Sequence, residues 1–225
     1  MSQITKGIFS IFSNPEIYDG FQNLMGAVEI RKELVREYIR PVPGAKILDI
    51  GCGTAEILGF LPQDVCYWGF DISSRYIESA RKRFGARGHF HCGLFDSEKA
   101  ALLPKFDIVM AFGVLHHLDD DEAVNIFALA SSVITDSGRV ISMDPCFVVG
   151  QNPIARFLIS KDRGQNVRDQ SGYCNLPSNI FLKIDGKVRH RSRVPYTDWV
   201  MQCSGVRGGV HVVSQSTNWI VALNS

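Results

Sequence analysis

Ten residues, Lys46 to Ala55 (KILDIGCGTA), constrain this chain more than any other stretch. Ile47, Leu48 and Ile50 make a short apolar run of the kind that forms a strand buried on both faces. The run ends in Gly51-Cys52-Gly53. Glycines at that point let the backbone turn tightly and approach a ligand without a Cβ in the way. From Ala55 to Leu61 the chain reads as the start of a helix, whose first N–H groups would face the turn. Strand, glycine turn and helix together form the front of a nucleotide-like binding site.

The turn itself narrows the ligand. A dinucleotide fingerprint needs a third glycine where this chain has Glu56. A carboxylate in the first helical turn opposes a pyrophosphate, so the spacing suits a nucleoside without phosphates. A second apolar run, Val65 to Phe70, ends in Asp71, twenty residues past Gly51. A carboxylate there can accept hydrogen bonds from both hydroxyls of a ribose. Alone, Asp71 would also pass as a helix cap, in competition with Ser73 and Ser74.

At these residues the chain resembles the class I S-adenosylmethionine (SAM) dependent methyltransferases. LDIGCGT is similar to their first motif, GFDIS to the second and FDIVMAFGVLHHL to the fourth. The resemblance covers residues 25 to 145 well. It implies that Asp49, Gly51, Cys52, Gly53, Asp71, Ile72 and Phe112 contact SAM. Leu94 stands where the family carries an acid that reads the adenine amine, and Asp96 lies two residues on. Leu94 and Phe95 are then expected to sandwich the adenine ring. Arg31 falls where some small-molecule members hold the methionine carboxylate; among Lys32, Glu33, Arg36 and Glu37 its other reading is a solvated charge.

Strand and helix signals alternate along the chain. Asn14-Pro15 opens a helix, and Ala27 to Ile39 is amphipathic with a period of 3.6. Ser73 or Ser74 caps a helix running to Phe84, and Gly88 to Cys92 is a third strand. Phe106 to Ala111 is a fourth, and Asp119 to Asp121 cap a helix over Glu122 to Ile134. Asp136-Ser137-Gly138 reads as a turn into a fifth strand, Arg139 to Met143. This alternation implies an α/β fold with a parallel sheet between two helix layers. Gly51, Asp71, Leu94, Phe112 and Asp144 then meet at the carboxyl ends of five strands, where such folds bind ligands. The resemblance adds a Rossmann-like, seven-stranded sheet whose last two strands, within residues 187–203, are antiparallel. Asp185-Gly186 suits a hairpin turn between Ile180–Ile184 and Lys187–Arg193. A competing parse puts a helix at 196–204 and the final pair at Val210–Val213 and Trp219–Leu223.

One domain, residues 1–203, accounts for most of the 225 residues, with 204–225 as an extension of unassigned role. Residues 145–195 break the pattern and are expected to form a lid over the methyl acceptor, or else a solvated loop. Asp144, Arg163, Arg168 and Tyr173 are its candidate acceptor contacts; guanidinium groups would favour a carboxylate or phosphate. His116 and His117 lie just past the fourth strand, and His117 is the better placed for a general base, with a plain helix-entry histidine as the other reading. Ubiquinone-pathway relatives carry a metal-holding acidic pattern at the Gly113 and His116 positions; its absence here predicts no metal.

A net charge of +1 gives no bulk attraction to nucleic acid or to a membrane surface. The first residues, MSQITKGIFSIFSNPE, lack a signal-peptide pattern, and no stretch is long enough to span a membrane. Six cysteines with no C-x-x-C pair suit reduced thiols in the cytoplasm; Cys52, Cys66 and Cys92 are expected in or beside the core. The expected function is SAM-dependent methylation of a small-molecule acceptor. The alternatives are a non-catalytic SAM-binding sensor or partner subunit, and an NAD(P)-binding oxidoreductase. Nothing in the sequence sets the oligomeric state.

Overall fold

The computed structural model describes residues 27–162, 164–191 and 195–208. The expected Asn14-Pro15 helix start, Arg163, and the competing strand pair after residue 209 lie outside the described residues.

The sheet is built around β1 (Lys46–Ile50), which pairs in parallel with β2 (Cys66–Asp71) on one side and β4 (Phe106–Phe112) on the other. β3 (His89–Cys92) lies beyond β2, and β5 (Ile134–Phe147) beyond β4, both parallel. β8 (Thr197–Val206) then pairs antiparallel with β5, and β7 (Phe181–His190) antiparallel with β8. The strand order is β3-β2-β1-β4-β5-β8-β7, with a two-residue β6 (Arg168–Asp169) on the far end of β5.

β1 is central because its side chains are apolar toward both faces. Leu48 and Ile50 enter one core with Val109, Ala123, Phe127 and Val133. Ile47 enters the other with Leu34, Ile39, Ile77 and Ala80. Each such Leu or Ile contributes about 1.5–3 kcal/mol by leaving water. The first core is covered by α4 (Asp120–Val133), the second by α1 (Ala27–Glu33) and α2 (Ser74–Phe84). The result is the expected three-layer sandwich.

Local signals account for most helix ends. Ser73 caps α2, Asp96 caps the short α3 (Ser97–Leu102), and Asp119 with Glu122 forms a capping box on α4. Asn152 caps α5 (Pro153–Ser160), with proline in its first turn. Asp169 caps α6 (Gln170–Asn175). α1 departs from a simple 3.6 period. It widens into a π-type turn over Leu34–Ile39, closed by the Arg40 N–H donating to the Val35 carbonyl at 2.8 Å, five residues back.

Four expectations are corrected. Asp185-Gly186 is no hairpin turn but mid-strand in β7, paired with Gln202 and Met201. A Cβ at Gly186 would fall 1.9 Å from the Trp199 ring, so glycine is there to admit the indole from β8. Asp136-Ser137-Gly138 belongs to β5, where the register against β4 slips between Phe106 and Ile108. Residues 181–190 of the expected lid are sheet, and the insertion proper is α5, β6 and α6. Finally, Cys66 and Cys92 are exposed, at the start of β2 and the end of edge strand β3; the buried thiols are Cys146 and Cys203.

Candidate active site

The glycine turn is held by the strand beside it. The Gly51 and Cys52 N–H groups both donate to the Phe70 carbonyl, at 2.8 and 3.0 Å. Gly51 has φ +72° and a Cβ there would strike Val114 at 2.5 Å, so both conformation and space demand glycine. Gly53 has φ +55°, yet a Cβ there would meet no atom within 4 Å: its open side faces outward from the sheet edge. After the turn comes a 3-10 helix, Glu56–Phe60, in place of the expected α-helix start, entered through Ala55 in a left-handed conformation. Glu56 is nearly buried and paired with Arg83 of α2, so its charge is offset. The acid presented to a diphosphate at this turn is therefore Asp71.

Asp71 sits between the two loops. One carboxylate oxygen accepts from Gly53 N at 2.9 Å and the other from Ser73 N at 2.8 Å. Each oxygen keeps lone-pair capacity for a further donor, and the residue is only half-buried. Burial raises its pKa, against the two amide hydrogen bonds. Asp49 lies deeper, 3% exposed, accepting from the Tyr67 hydroxyl at 2.6 Å. Burial pushes its carboxyl up to about 7.

Among the other expected cofactor contacts, Cys52, Ile72 and Phe112 are half-buried at the carboxyl edge. Leu94 is 40% exposed, while Phe95 is corrected to a core residue, 5% exposed and edge-on to Phe70 at 5.3 Å. One ring face of the expected sandwich is thus used in packing. Asp96 is engaged as the α3 cap and pairs with Lys99. Arg31 is half-buried on α1, which packs against the 3-10 helix following the glycine turn.

The acceptor side differs more from expectation. Val114 to His117 makes a tight turn after β4, with a 3-10 helix over Leu115–His117. His116 is buried, and both ring nitrogens meet carboxylates: Nδ1 lies 2.8 Å from Asp144 Oδ1 and Nε2 lies 3.3 Å from Asp162 Oδ1. Burial favours the neutral ring, but hydrogen bonds to Asp144 and Asp162 outweigh it and hold the pKa up at about 9. His116 is therefore an imidazolium at neutral pH and not a base. His117 is half-buried, its ring centroid 4.0 Å from that of His116.

Asp144, Arg168 and Tyr173 are corrected from acceptor contacts to internal supports. Asp144 is 1% exposed and committed to His116. Arg168 donates to the Leu115, Leu118 and Asn166 carbonyls at 2.8–2.9 Å and pairs with Asp120 at 2.7 Å. Tyr173 is fully buried, its hydroxyl donating to the Pro145 carbonyl at 2.8 Å. Asp162 and Tyr196, which sequence reasoning passed over, are joined to each other and to this network. Asp162 falls in the stretch expected to be a lid or a solvated loop. Among the described residues no group of three or more His, Cys, Asp or Glu side chains is arranged to hold a metal.

Residues 48–140 match a family model described as a methyltransferase domain. Over that stretch the chain is similar to methyltransferases. The match includes the glycine turn, Asp71 and both histidines, and stops short of Asp144 and the insertion. The chain is 33% identical over 120 residues to aklanonic acid methyltransferase DauC of Streptomyces sp. (strain C5), covering 50% of this chain and 54% of that protein. It is 34% identical over 91 residues to an O-methyltransferase of Pyrenophora dematioidea, covering 38% and 34%. The chain thus spans about half the length, or less, of these curated relatives. Its fold is shared with magnesium protoporphyrin IX methyltransferase of Synechocystis PCC 6803, solved with bound S-adenosylhomocysteine. That likeness has a TM-score of 0.57 at 19% identity over 86% of this chain and 88% of the other.

Proposed function

We propose that this protein is a SAM-dependent methyltransferase that methylates a small organic molecule. The observation that carries the reading is the half-buried Asp71 carboxylate at the open side of the Gly51–Gly53 turn. Bound there, SAM would supply an activated methyl whose sulfonium leaves as a neutral thioether. Asp71 holds the ribose diol with the lone pairs left over from Gly53 and Ser73. The open face at Gly53 receives the amino-acid end, and Arg31 draws its carboxylate. Leu94 covers one face of the adenine ring. These residues fit a nucleoside with no diphosphate, because the Asp71 carboxylate stands at the turn.

The acceptor lies against the β4 turn, beside His117. His117 takes the proton that an oxygen or nitrogen acceptor loses, since both nitrogens of His116 are engaged. Names of relatives favour oxygen as the methylated atom. Arg163 remains a candidate for an acidic group on the acceptor. Six free thiols fit work in the reducing cytoplasm. Among the described residues no helix is long and apolar enough to cross a membrane.

Calorimetry with S-adenosylhomocysteine and with NAD tests the cofactor. Micromolar heat with the first and none with the second is expected. Equal or tighter NAD binding rejects the reading. Transfer of labelled methyl from SAM into a metabolite extract then tests catalysis, and its absence from all fractions would favour a sensor.

A further inference from the structure

We propose that Asp162 is a positioning residue: through His116 it clasps the insertion after α5 onto the histidine turn and so fixes the acceptor-side wall of the site. The last clause rests on the methyltransferase reading, whereas the clasp stands on geometry alone.

Three elements far apart in sequence meet at one imidazole. Asp144 comes from β5, His116 from the turn after β4, and Asp162 from the loop after α5. An ionised carboxylate can only accept hydrogen bonds. With a carboxylate on each side, both His116 nitrogens must carry hydrogen. The ring is then a cation bridging the sheet and the insertion, through a charge-assisted hydrogen bond to Asp144 at 2.8 Å and an ion pair with Asp162 at 3.3 Å. Asp162 is in turn oriented. One oxygen accepts from Gly164 N at 2.9 Å, the other from the Tyr196 hydroxyl just before β8. Those bonds, with His116, hold its carboxyl well below its usual range despite burial.

The backbone confirms how closely the insertion seats. A Cβ at Gly164 would fall 2.0 Å from His116 Cδ2 and 2.6 Å from its carbonyl oxygen. Asn166 N donates to that same carbonyl at 3.0 Å. Arg168 then grips the other end of the turn through the Leu115 and Leu118 carbonyls. The charged and titratable groups around His116 are accounted for by element. They are Asp144 from β5, Asp162 from the insertion, Tyr196 ahead of β8, His117 on its own turn, Arg168 from β6 and Tyr173 from α6. Of the two carboxylates, Asp162 is the more solvent-accessible, its side chain 22% exposed against 1% for Asp144. It is therefore the member whose loss the fold tolerates best.

The test is a histidine-labelled NMR titration of the full chain, with His116 assigned from H116Q. Amide hydrogen exchange across residues 164–169 and S-adenosylhomocysteine calorimetry accompany it. Wild-type His116 is expected to stay doubly protonated through about pH 8. In D162N its midpoint should fall by at least about one unit, a tenfold loss of proton affinity. Exchange across 164–169 should quicken at least about fivefold while S-adenosylhomocysteine affinity stays within about twofold. D162E should recover part of the midpoint. A singly protonated His116 in the wild type at pH 7 would overturn the proposal. So would unchanged exchange in D162N, or loss of S-adenosylhomocysteine affinity in step with the clasp. Cofactor binding by the wild type tests the underlying reading separately, because the titration and the exchange need no ligand.

Discussion

On the β1–β2 half of the carboxyl edge, the polar groups keep capacity to spare. Asp71 braces two loops and still has lone pairs free, and the Gly53 backbone stands open beside it. On the β4–β5 half, the polar groups are engaged mainly with one another. Asp144, His116, Asp162 and Tyr196 form a chain, and Arg168 is held by carbonyls and Asp120. The contrast follows from backbone supply. The β1 turn satisfies its own amides on the Phe70 carbonyl. After the Leu115–His117 turn, the Leu118 carbonyl draws its donor from a guanidinium of the insertion. A charge in an insertion points to a ligand only after such internal demands are met.

The contrast can be broken most severely at Asp71. Asp71→Ala should cut S-adenosylhomocysteine affinity by at least tenfold, since two charge-assisted hydrogen bonds of roughly 1.5–3 kcal/mol each are removed. The apo protein should also melt a few degrees lower, because Gly53 and Ser73 lose their acceptor. Calorimetry and a thermal melt measure both; an unchanged affinity in the folded protein would make Asp71 a purely local brace. Arg168→Ala should act the other way round. It leaves the Leu118 carbonyl without its guanidinium donor and takes one of two donors from Leu115, costing about 1.5–3 kcal/mol in urea unfolding. Cofactor affinity should stay within about twofold. A variant as stable as wild type would show that water replaces the guanidinium at no cost.

The His116 clasp gives a pH signature on the acceptor half. Its folded pKa, about 9, is raised above the usual 6.5. The associated stability is therefore complete below about pH 6.5 and is lost as pH rises through 9. Between pH 7 and 9 the loss should be roughly 2 kcal/mol. His116→Gln should flatten that part of the profile, and parallel profiles for variant and wild type would contradict the clasp. Smallest is Leu94→Ala on the cofactor half. With 40% of Leu94 exposed, the melting point should hardly move, while S-adenosylhomocysteine binding weakens about fivefold. No change in affinity would remove Leu94 from the adenine site.

Legibility in the sequence follows the range of the interactions. The glycine turn, Asp71 and the parallel strands are each written within a few residues, in periodicity and turn chemistry. They stand where expected. Asp185-Gly186 looks like a hairpin turn locally and fails because Trp199, on another strand, fills the space over Gly186. The helix after the glycine turn shortens to 3-10 because Gly59 and Pro62 follow at once. Asp162 and His116 meet across forty-six residues, and no spacing rule connects them. Arg168 and Tyr173 carried the right chemistry for an acceptor, but their partners are carbonyls, which every residue has and no sequence marks. The acceptor half was therefore the less readable half.

The most direct test of the two-half account is one paired experiment: S-adenosylhomocysteine calorimetry and thermal melting on wild type, Asp71→Ala and Arg168→Ala together. The account predicts micromolar binding by the wild type. It predicts at least tenfold weaker binding by Asp71→Ala, and near-wild-type affinity in an Arg168→Ala protein that melts several degrees lower. Arg168→Ala losing the ligand as severely as Asp71→Ala, or Asp71→Ala binding as tightly as wild type, would contradict it.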